Sequence, residues 1–354
     1  MASRLRRLSD RAAGLWRRGM AKLRPAGGDD YESRMSQELA NFNDAVNVHD
    51  LPDIFHYWSN RYIRPWFENV GTTHPEDFFA RFLIEAAKDG GNAPRFLSIG
   101  SGNCDAEVAV ARDLRQRGLQ DFTLECLDIN TTMLERGARL AEQEGVADCV
   151  AFQRADFNNW QPPHQYDAIV ANQCLHHVTN LEGLFDSIQS ALTERGLFIT
   201  SDMIGRNGHM RWPEALKVVN QLWEELPERY RYNHQQKRLE KKFINHDCST
   251  GSFEGIRAQD ILPLLIPRFS FHVFIAFGNV IDPFVDRGFG HNFDPNNPDD
   301  LAFIDRVHEI DESGFADGSL KPTHMIAVMA RPEFRAEQPY FARGLSPEQA
   351  VRPT

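Results

Sequence analysis

Glycines and acids stand where apolar, strand-like segments of this sequence give way to helix-like ones. Gly100 and Gly102 follow the first such segment, and the pair allows a tight turn with backbone N–H groups open to a ligand. Asp128 ends the second segment, where a carboxylate can accept hydrogen bonds from both hydroxyls of a nucleoside ribose. Asp156 and Phe157 follow the third, where they can meet the edge and face of an adenine. These residue types in this order predict a nucleoside-binding site.

The glycine turn favours a cationic ligand over a dinucleotide. The dinucleotide fingerprint has a third glycine at the position where this chain has Asp105. An acid there would repel a pyrophosphate, which a helix N-terminus otherwise attracts. S-adenosylmethionine carries an ammonium and a sulfonium and has no phosphate, so it suits an acidic loop.

The elements that position these residues alternate between strand and helix. Seven apolar runs predict strands, at 95–100, 122–128, 149–154, 166–172, 196–201, 269–277 and 324–331. Helical spacing lies between most of them, which is typical of βαβ units and of a parallel sheet covered on both faces. In such a sheet, ligands bind at the carboxyl ends of the strands. The candidate residues therefore share one edge.

With its glycine loop, strand-end acids and strand order, the chain resembles the class I S-adenosylmethionine-dependent methyltransferases over about residues 93–203. The family loop is usually acidic-x-Gly-x-Gly-x-Gly, and its four places are here Ser98, Gly100, Gly102 and Cys104. The resemblance implies S-adenosylmethionine as cofactor. It also implies an α/β fold, with a doubly wound, mostly parallel seven-stranded sheet whose last strand is antiparallel. We expect a helical N-terminal region and insertions after the fifth and sixth strands of this Rossmann-like methyltransferase fold.

The same resemblance assigns the cofactor contacts. Asp128 matches the ribose-binding acid of the family, and Asp156-Phe157 matches its adenine site. The first acid and the third glycine of the loop are missing, so Asp105 or Tyr57 could hold the methionine amine instead. The full set predicted to bind the cofactor is Ser98, Gly100, Ser101, Gly102, Asp105, Asp128, Ile129, Asp156, Phe157, Asn172 and Tyr57.

Methyl transfer is an in-line displacement at the sulfonium carbon, so the protein mainly positions the acceptor and excludes water. A general base is needed only when the acceptor must lose a proton. His176 and His177 follow the fourth strand and are the candidate catalytic residues, since an imidazole pKa of about 6.5 suits a base. A structural role for this pair is the alternative. No group of residues has standard metal-site spacing, and we predict no metal ligands.

The sequence divides into six segments. They are a basic extension and linker at 1–30, a helical lid or cap at 31–92, a cofactor-binding core at 93–204, a helical insertion at 205–256 as candidate acceptor pocket, the C-terminal half of the sheet at 257–331 with an excursion at 283–320, and a tail at 332–354. Aromatic density at 49–69 indicates core packing or a lid over the ligand. The mixed charges at 228–242 predict a solvated helix face.

Charge is unevenly distributed along the chain. Residues 1–24 hold eight basic side chains and one acidic side chain, whereas the whole chain carries −11, so the remainder carries −18. An acidic body argues against nucleic-acid substrates. The basic stretch, with apolar residues at helical spacing, could contact a membrane surface or an acidic partner, or remain a solvated extension. Five scattered cysteines and the lack of a long apolar run predict reduced thiols in a cytoplasmic protein.

The predicted function is methyl transfer to a small-molecule acceptor, because the aromatic insertions favour a pocket. Whether oxygen, nitrogen, carbon or sulfur accepts the methyl group stays open. One alternative is a nicotinamide-dependent oxidoreductase on a Rossmann sheet, which the missing third glycine disfavours. The other is a non-catalytic cofactor-binding or scaffold protein, which the irregular glycine loop suggests.

Overall fold

The computed structural model describes residues 31, 34–35, 51–89 and 93–353. Its strands are β1 (Arg95–Ile99), β2 (Thr123–Asp128), β3 (Val150–Arg154), β4 (Tyr166–Asn172), β5 (Leu192–Met203), β6 (Tyr232–Asn233), β7 (Arg238–Leu239), β8 (Ser270–Phe277), β9 (His324–Ala330) and β10 (Tyr340–Phe341). Its α-helices are α1 (Asp53–Trp58), α2 (Arg64–Asn69), α3 (Pro75–Asp89), α4 (Asp105–Gln116), α5 (Thr131–Gln143), α6 (Leu181–Ala191), α7 (Pro213–Glu225), α8 (Ala258–Leu265), α9 (Asp282–Val285), α10 (Pro298–Asp317) and α11 (Pro347–Ala350).

Eight of the strands form one sheet, in the order β10-β8-β9-β5-β4-β1-β2-β3. The pairs from β5 across to β3 are parallel, whereas β9 is antiparallel to both of its neighbours. The chain winds outward from β1 to β3 and then returns to β4 on the other side of β1. The carboxyl ends of β1 and β4 therefore flank the point where the winding reverses, which is where doubly wound sheets bind ligands.

The doubly wound, mostly parallel fold is confirmed, as are the insertions after the fifth and sixth strands of the main sheet. The predicted count of seven strands is wrong, because β10 adds an eighth at the edge beside β8. This strand has only two residues, so its sequence shows too little alternation of apolar and polar residues to predict a strand.

Alternating side chains on β1 show how the sheet builds two cores. Phe96 belongs to one buried cluster, whereas Leu97 and Ile99 belong to the other, because successive strand residues point to opposite faces. Helices α3, α4 and α5 cover the first face, and α6 and α8 cover the second. With both faces covered, the strands hold the residues that follow them in fixed positions.

The aromatic N-terminal segment packs against α10. Trp58 is buried and donates from Nε1 to His308 Nδ1 at 3.3 Å. The Tyr62 ring stacks on the His308 ring with centroids 3.8 Å apart. A π-helical turn, Ser59–Ile63, joins α1 to α2 without a break. Among the described residues, no helix is long and apolar enough to cross a membrane.

The insertion after β5 is less helical than predicted. It holds the helix α7, but the mixed-charge stretch at 228–242 forms a 3₁₀ turn and the β6–β7 hairpin instead of a helix face. Asn233 closes the hairpin turn by accepting a hydrogen bond from Gln236 N–H at 2.8 Å. Glu240 is buried, and its carboxylate accepts from Arg238 and Asn233. A mixed charge pattern does not distinguish this paired hairpin from a helix.

Candidate active site

The loop after β1 adopts a left-handed backbone that needs glycine. Gly100 has φ +67° and Gly102 has φ +54°. A Cβ on Gly100 would lie 2.4 Å from the Cβ of Cys174, which belongs to the turn after β4. The loops after β1 and β4 therefore touch through a position that a larger side chain cannot occupy.

Asp128, at the end of β2, fixes this loop. One of its carboxylate oxygens accepts a hydrogen bond from Gly102 N–H at 2.9 Å, and the other accepts from Asn130 N–H at 2.8 Å. Burial raises the pKa of Asp128, and these backbone hydrogen bonds oppose the rise. Ser101 and Ile129 are half-buried beside the loop and the acid. The predicted ribose acid thus lies at the edge of the sheet formed by the carboxyl ends of β1 to β4, which we call the strand-end edge.

Asp156, after β3, contacts Tyr31 and Asn158. Its carboxylate accepts from the Tyr31 hydroxyl at 3.0 Å and from Asn158 N–H at 2.9 Å. The Tyr31 ring lies 5.4 Å from the ring of Phe253, in the insertion. Phe157 is half-buried and packs against the second core cluster. The sequence carried no signal for Tyr31, because a single tyrosine outside the strands has no pattern.

A buried acid lies beneath the glycine loop. Ser98 donates from its hydroxyl to a Glu107 carboxylate oxygen at 2.6 Å. Burial raises the pKa of Glu107 to about 7. Ser98, Glu107 and Asn172 line the same small cavity, so the end of β4 borders this acid. By contrast, Asp105 is exposed in the first turn of α4. The sequence pattern does not single out Glu107, because one acid in a helix resembles a surface residue.

Tyr57 makes its contacts at α10. Its hydroxyl donates to an Asp305 carboxylate oxygen at 2.8 Å, and Arg61 lies over its ring at 5.9 Å. Burial and the hydrogen bond to Asp305 raise the pKa of Tyr57 to about 12. The structure thus joins Tyr57 to the packing of the N-terminal helices, and its role toward the cofactor stays a prediction.

His176 lies between two carboxylates. Its Nδ1 is 2.7 Å from Asp202 Oδ1, and its Nε2 is 3.5 Å from Glu254 Oε1. Asp202, on β5, is fully buried and accepts from the backbone N–H groups of Cys174 and Leu175 at 3.0 and 2.7 Å. The turn after β4 is therefore fastened to β5 through this acid.

The carboxylates also decide the charge of His176. Burial by itself would lower the pKa of His176, but Asp202 and Glu254 outweigh it and raise the pKa to about 10. Burial likewise raises the pKa of Asp202, and His176 reverses the change to a net lowering. At neutral pH His176 therefore holds its proton in this ion-paired arrangement, so it has no free lone pair with which to act as a base.

Glu254 brings further histidines to the same place. Its Oε1 lies 2.7 Å from His209 Nε2, and its Oε2 lies 3.6 Å from His177 Nε2. We call these residues the histidine–carboxylate cluster: His176, His177, Asp202, His209 and Glu254. The two adjacent histidines were predicted from the sequence, and the other three members were not. Two of those lie in the insertion, where no periodicity relates them to the strands.

A groove of about 490 Å³ lies away from the glycine loop. Its walls come from α7, α10 and the turn that follows α10, and they include Glu214, Val218, Arg306 and Ile310. The insertions therefore do form a cavity, but this one opens between helices rather than at the strand ends.

Comparisons with known proteins give a matching family model. The model described as "Methyltransferase domain" matches residues 97–198, which run from β1 into β5. A sterol 24-C-methyltransferase of Aspergillus fumigatus is 33% identical over 79 residues, or 22% of this chain and 21% of that protein. A malonyl-[acyl-carrier protein] O-methyltransferase of Ilyobacter polytropus is 28% identical over 97 residues, or 27% of this chain and 36% of that protein. The chain thus spans about a fifth to a third of the length of these relatives.

Solved structures align over more of the chain at lower identity. Geranyl diphosphate C-methyltransferase of Streptomyces coelicolor is 14% identical and aligns with a TM-score of 0.40, covering 72% of this chain and 79% of that one. The protein YjhP of E. coli is 13% identical and aligns with a TM-score of 0.41, covering 79% of this chain and all of that one.

Proposed function

This chain belongs to the class I S-adenosylmethionine-dependent methyltransferases, and we propose that it transfers a methyl group from S-adenosylmethionine to a small-molecule acceptor. The observation that carries this proposal is the meeting of four strand ends at one edge. Four strands that lie side by side in the sheet bring these groups together at their carboxyl ends: the turn at Gly100 and Gly102, the carboxylates of Asp128 and Asp156, and Asn172. The acidic character of this edge suits a sulfonium cofactor that carries no phosphate.

Each part of the cofactor has a counterpart on this edge. Asp128 is positioned for the ribose hydroxyls, since its carboxylate already lies at the glycine loop. Asp156 and Phe157 offer an acceptor and an aromatic ring to the adenine. Ile129 is beside the ribose acid and supplies apolar contact. The loop residues Ser101 and Gly102 place backbone groups along the methionine portion.

Glu107 is our candidate for the charge that the methionine ammonium requires. The family places an acid where this chain has Ser98, and the structure puts a buried carboxylate 2.6 Å from the Ser98 hydroxyl. A serine and a glutamate together would thus supply the negative charge that a single acid supplies in the family. Asp105 is exposed at the helix start and is the second candidate for this role.

In the reaction, an acceptor lone pair forms a bond to the methyl carbon while the carbon–sulfur bond breaks. The electron pair of that bond stays on sulfur, which becomes the neutral thioether of S-adenosylhomocysteine. An acceptor that carries a proton gives it to a base. Because His176 already holds a proton between Asp202 and Glu254, we propose that it positions the turn after β4. His177 is then the candidate base.

We propose a cytoplasmic enzyme, because its five cysteines are free thiols. We also propose that it does not act on nucleic acids, because outside residues 1–24 the chain carries −18. The proposed contact of residues 1–24 with a membrane surface or an acidic partner falls outside the described residues. Liposome binding by the full chain and by a chain lacking residues 1–24 tests it. Equal binding by both would remove the support for a membrane contact.

Calorimetric titration of the purified chain with S-adenosylmethionine, S-adenosylhomocysteine and NADH tests the cofactor class. We expect the two sulfur compounds to bind and NADH to show no heat of binding. Tight NADH binding without S-adenosylmethionine binding would support the nicotinamide alternative instead. Incubation with methyl-labelled S-adenosylmethionine and small-molecule pools then tests for turnover, and binding without any labelled product would favour the non-catalytic alternative.

A further inference from the structure

We infer that His176, His209 and Glu254 form a binding site for one divalent transition-metal ion. One ligand atom from each of these three side chains lies within 4.8 Å of the other two. Glu254 Oε1 is 2.7 Å from His209 Nε2 and 3.5 Å from His176 Nε2. The three residues come from the turn after β4, a 3₁₀ turn after β5 and the loop before α8.

The spacing of the ligand atoms suits a single ion. Zinc binds imidazole nitrogen and carboxylate oxygen at about 2.0–2.2 Å in a tetrahedral arrangement, which puts two ligand atoms about 3.4 Å apart. The separations from Glu254 to the two imidazoles lie on either side of this value. The third separation, between the two imidazole nitrogens, is at most 4.8 Å, so an ion at the centre draws the His176 and His209 rings toward each other.

Asp202 prepares His176 as a ligand. Metal-binding histidines almost always direct their second ring nitrogen to a carboxylate or a carbonyl, which fixes the ring and raises its basicity. Here Nδ1 of His176 lies 2.7 Å from buried Asp202, so Nε2 is the nitrogen directed at Glu254.

The backbone holds the three ligands together without an ion. Gly208 N–H donates to the carbonyl of Gly255 at 2.9 Å, and these two residues adjoin His209 and Glu254. Ile256 N–H donates to the carbonyl of His176 at 3.1 Å. A Cβ on Gly255 would lie 3.0 Å from Gly208 N and from His209 Cε1, so the two turns approach closely where glycine alone fits.

His209 also has an unusual backbone. Its φ is +55°, a left-handed conformation that is unfavourable for a residue with a Cβ. Residues held in such conformations concentrate at functional sites. The strain at His209 places its imidazole against Glu254, which is what a ligand role requires.

The cluster is accessible from one side. The side chain of His176 is 4% exposed, whereas that of Glu254 is 36% exposed. An ion can therefore enter past Glu254 and reach the buried imidazole. Two imidazoles with one carboxylate suit Zn²⁺ or Fe²⁺, while Mg²⁺ and Ca²⁺ prefer oxygen ligands alone. Three protein ligands leave a coordination position open, as in catalytic zinc sites.

The test is titration of the full-length protein, freed of metal with EDTA and dialysed, with Zn²⁺ as the probe. We expect one ion per chain and a rise in the midpoint of thermal unfolding when Zn²⁺ is added. Glu254→Gln and His209→Gln should each weaken binding at least about 100-fold, more than loss of an outer contact costs. His164→Gln is the control, since His164 is exposed and lies outside the cluster.

Circular dichroism of each variant shows whether it is folded, and if Glu254→Gln is not, His209→Gln decides. The inference is overturned if the wild type binds no Zn²⁺. It is equally overturned if a folded variant binds Zn²⁺ as tightly as the wild type, since other side chains then hold the ion. Because these titrations contain no S-adenosylmethionine, failure of the metal site leaves the proposed methyl transfer untouched, and the converse also holds.

Discussion

The strand-end edge and the histidine–carboxylate cluster are built in different ways. At the edge, the candidate residues follow β1 to β4 directly, and the main contacts are backbone N–H groups to Asp128. In the cluster, side chains from two strand ends and two insertion loops meet through buried charges. The first arrangement is repeated in sequence by every βα unit, whereas the second exists only after the insertion has folded back. A pattern in the linear sequence can therefore reveal the strand-end edge, but it cannot reveal the cluster.

The two regions also differ in what they require. The strand-end edge depends on close packing, because a side chain at Gly100 would overlap that of Cys174. The cluster depends on charge balance, because Asp202 and His176 are each buried opposite the other. Substitutions of each kind should therefore separate the two regions.

The largest effect is expected from Asp202→Ala, which removes the carboxylate that faces the buried His176 imidazole and accepts from three backbone N–H groups. Removal of one partner of a buried ion pair costs about 3–5 kcal/mol, and we expect the free energy of unfolding in urea to fall by that amount. Asp186→Ala is the control, since the Asp186 side chain is 66% exposed in its pair with Arg268 and such pairs contribute about 0–1 kcal/mol. Equal losses in the free energy of unfolding would contradict the claim that the cluster depends on its buried ion pair.

Glu107→Gln should change the pH dependence of stability. The pKa of Glu107 in the folded chain is about 7, above its ordinary 4.5, so the folded state holds a proton that the unfolded state releases. Stability from this group is present below pH 4.5, is lost as pH rises to 7, and amounts to about 3 kcal/mol. The difference between wild type and variant in urea unfolding at pH 4.5, 6 and 8 measures it.

The same variant tests the proposed role of Glu107. If its carboxylate attracts the methionine ammonium, S-adenosylmethionine affinity of the wild type rises between pH 6 and pH 8, and Glu107→Gln abolishes that rise. A variant that is more stable at pH 8 and binds S-adenosylmethionine as well as the wild type would assign Glu107 a structural role only.

Gly100→Ala should destabilise the glycine loop by about 2–3 kcal/mol. The new Cβ would overlap Cys174 in a left-handed backbone, and both the overlap and the conformation are costly. Gly118→Ala is the matched control, since Gly118 has φ +97° and no atom within 4 Å of the added Cβ, so only the conformational cost of about 1 kcal/mol applies. Urea unfolding of both variants measures the difference. Equal losses in the free energy of unfolding would show that the Cys174 side chain moves aside without an energetic penalty.

Tyr31→Phe should have the smallest effect, about 1 kcal/mol in urea unfolding, because the hydroxyl that donates to half-buried Asp156 and accepts from the Asn158 amide is lost. If Tyr31 covers the adenine site, the variant also releases S-adenosylhomocysteine faster in stopped-flow measurements. Unchanged stability and release would show that the Tyr31 hydroxyl contributes to neither.

The sequence was sufficient to predict the strands that form the strand-end edge, but not the histidine–carboxylate cluster. Apolar runs predicted all seven long strands of the sheet, because burial on both faces imposes continuous apolar residues. Glu107 was missed because its burial depends on the packing of α4 on the sheet. His209 and Glu254 were missed because their contact arises from two loops that glycines allow to approach. The stretch at 228–242 was predicted as a helix because charge pairing in a hairpin gives a similar pattern.

The central claim is that Asp128 binds the ribose of S-adenosylmethionine at the strand-end edge. Calorimetric titration of wild type, Asp128→Ala and Asp148→Ala with S-adenosylhomocysteine tests it most directly, with circular dichroism to show that each is folded. Asp148 is an exposed acid paired with Arg115 and serves as the control. We predict binding by wild type and Asp148→Ala, and at least a tenfold loss of affinity in Asp128→Ala. Equal affinity in all three would contradict the claim, as would an absence of binding by the wild type.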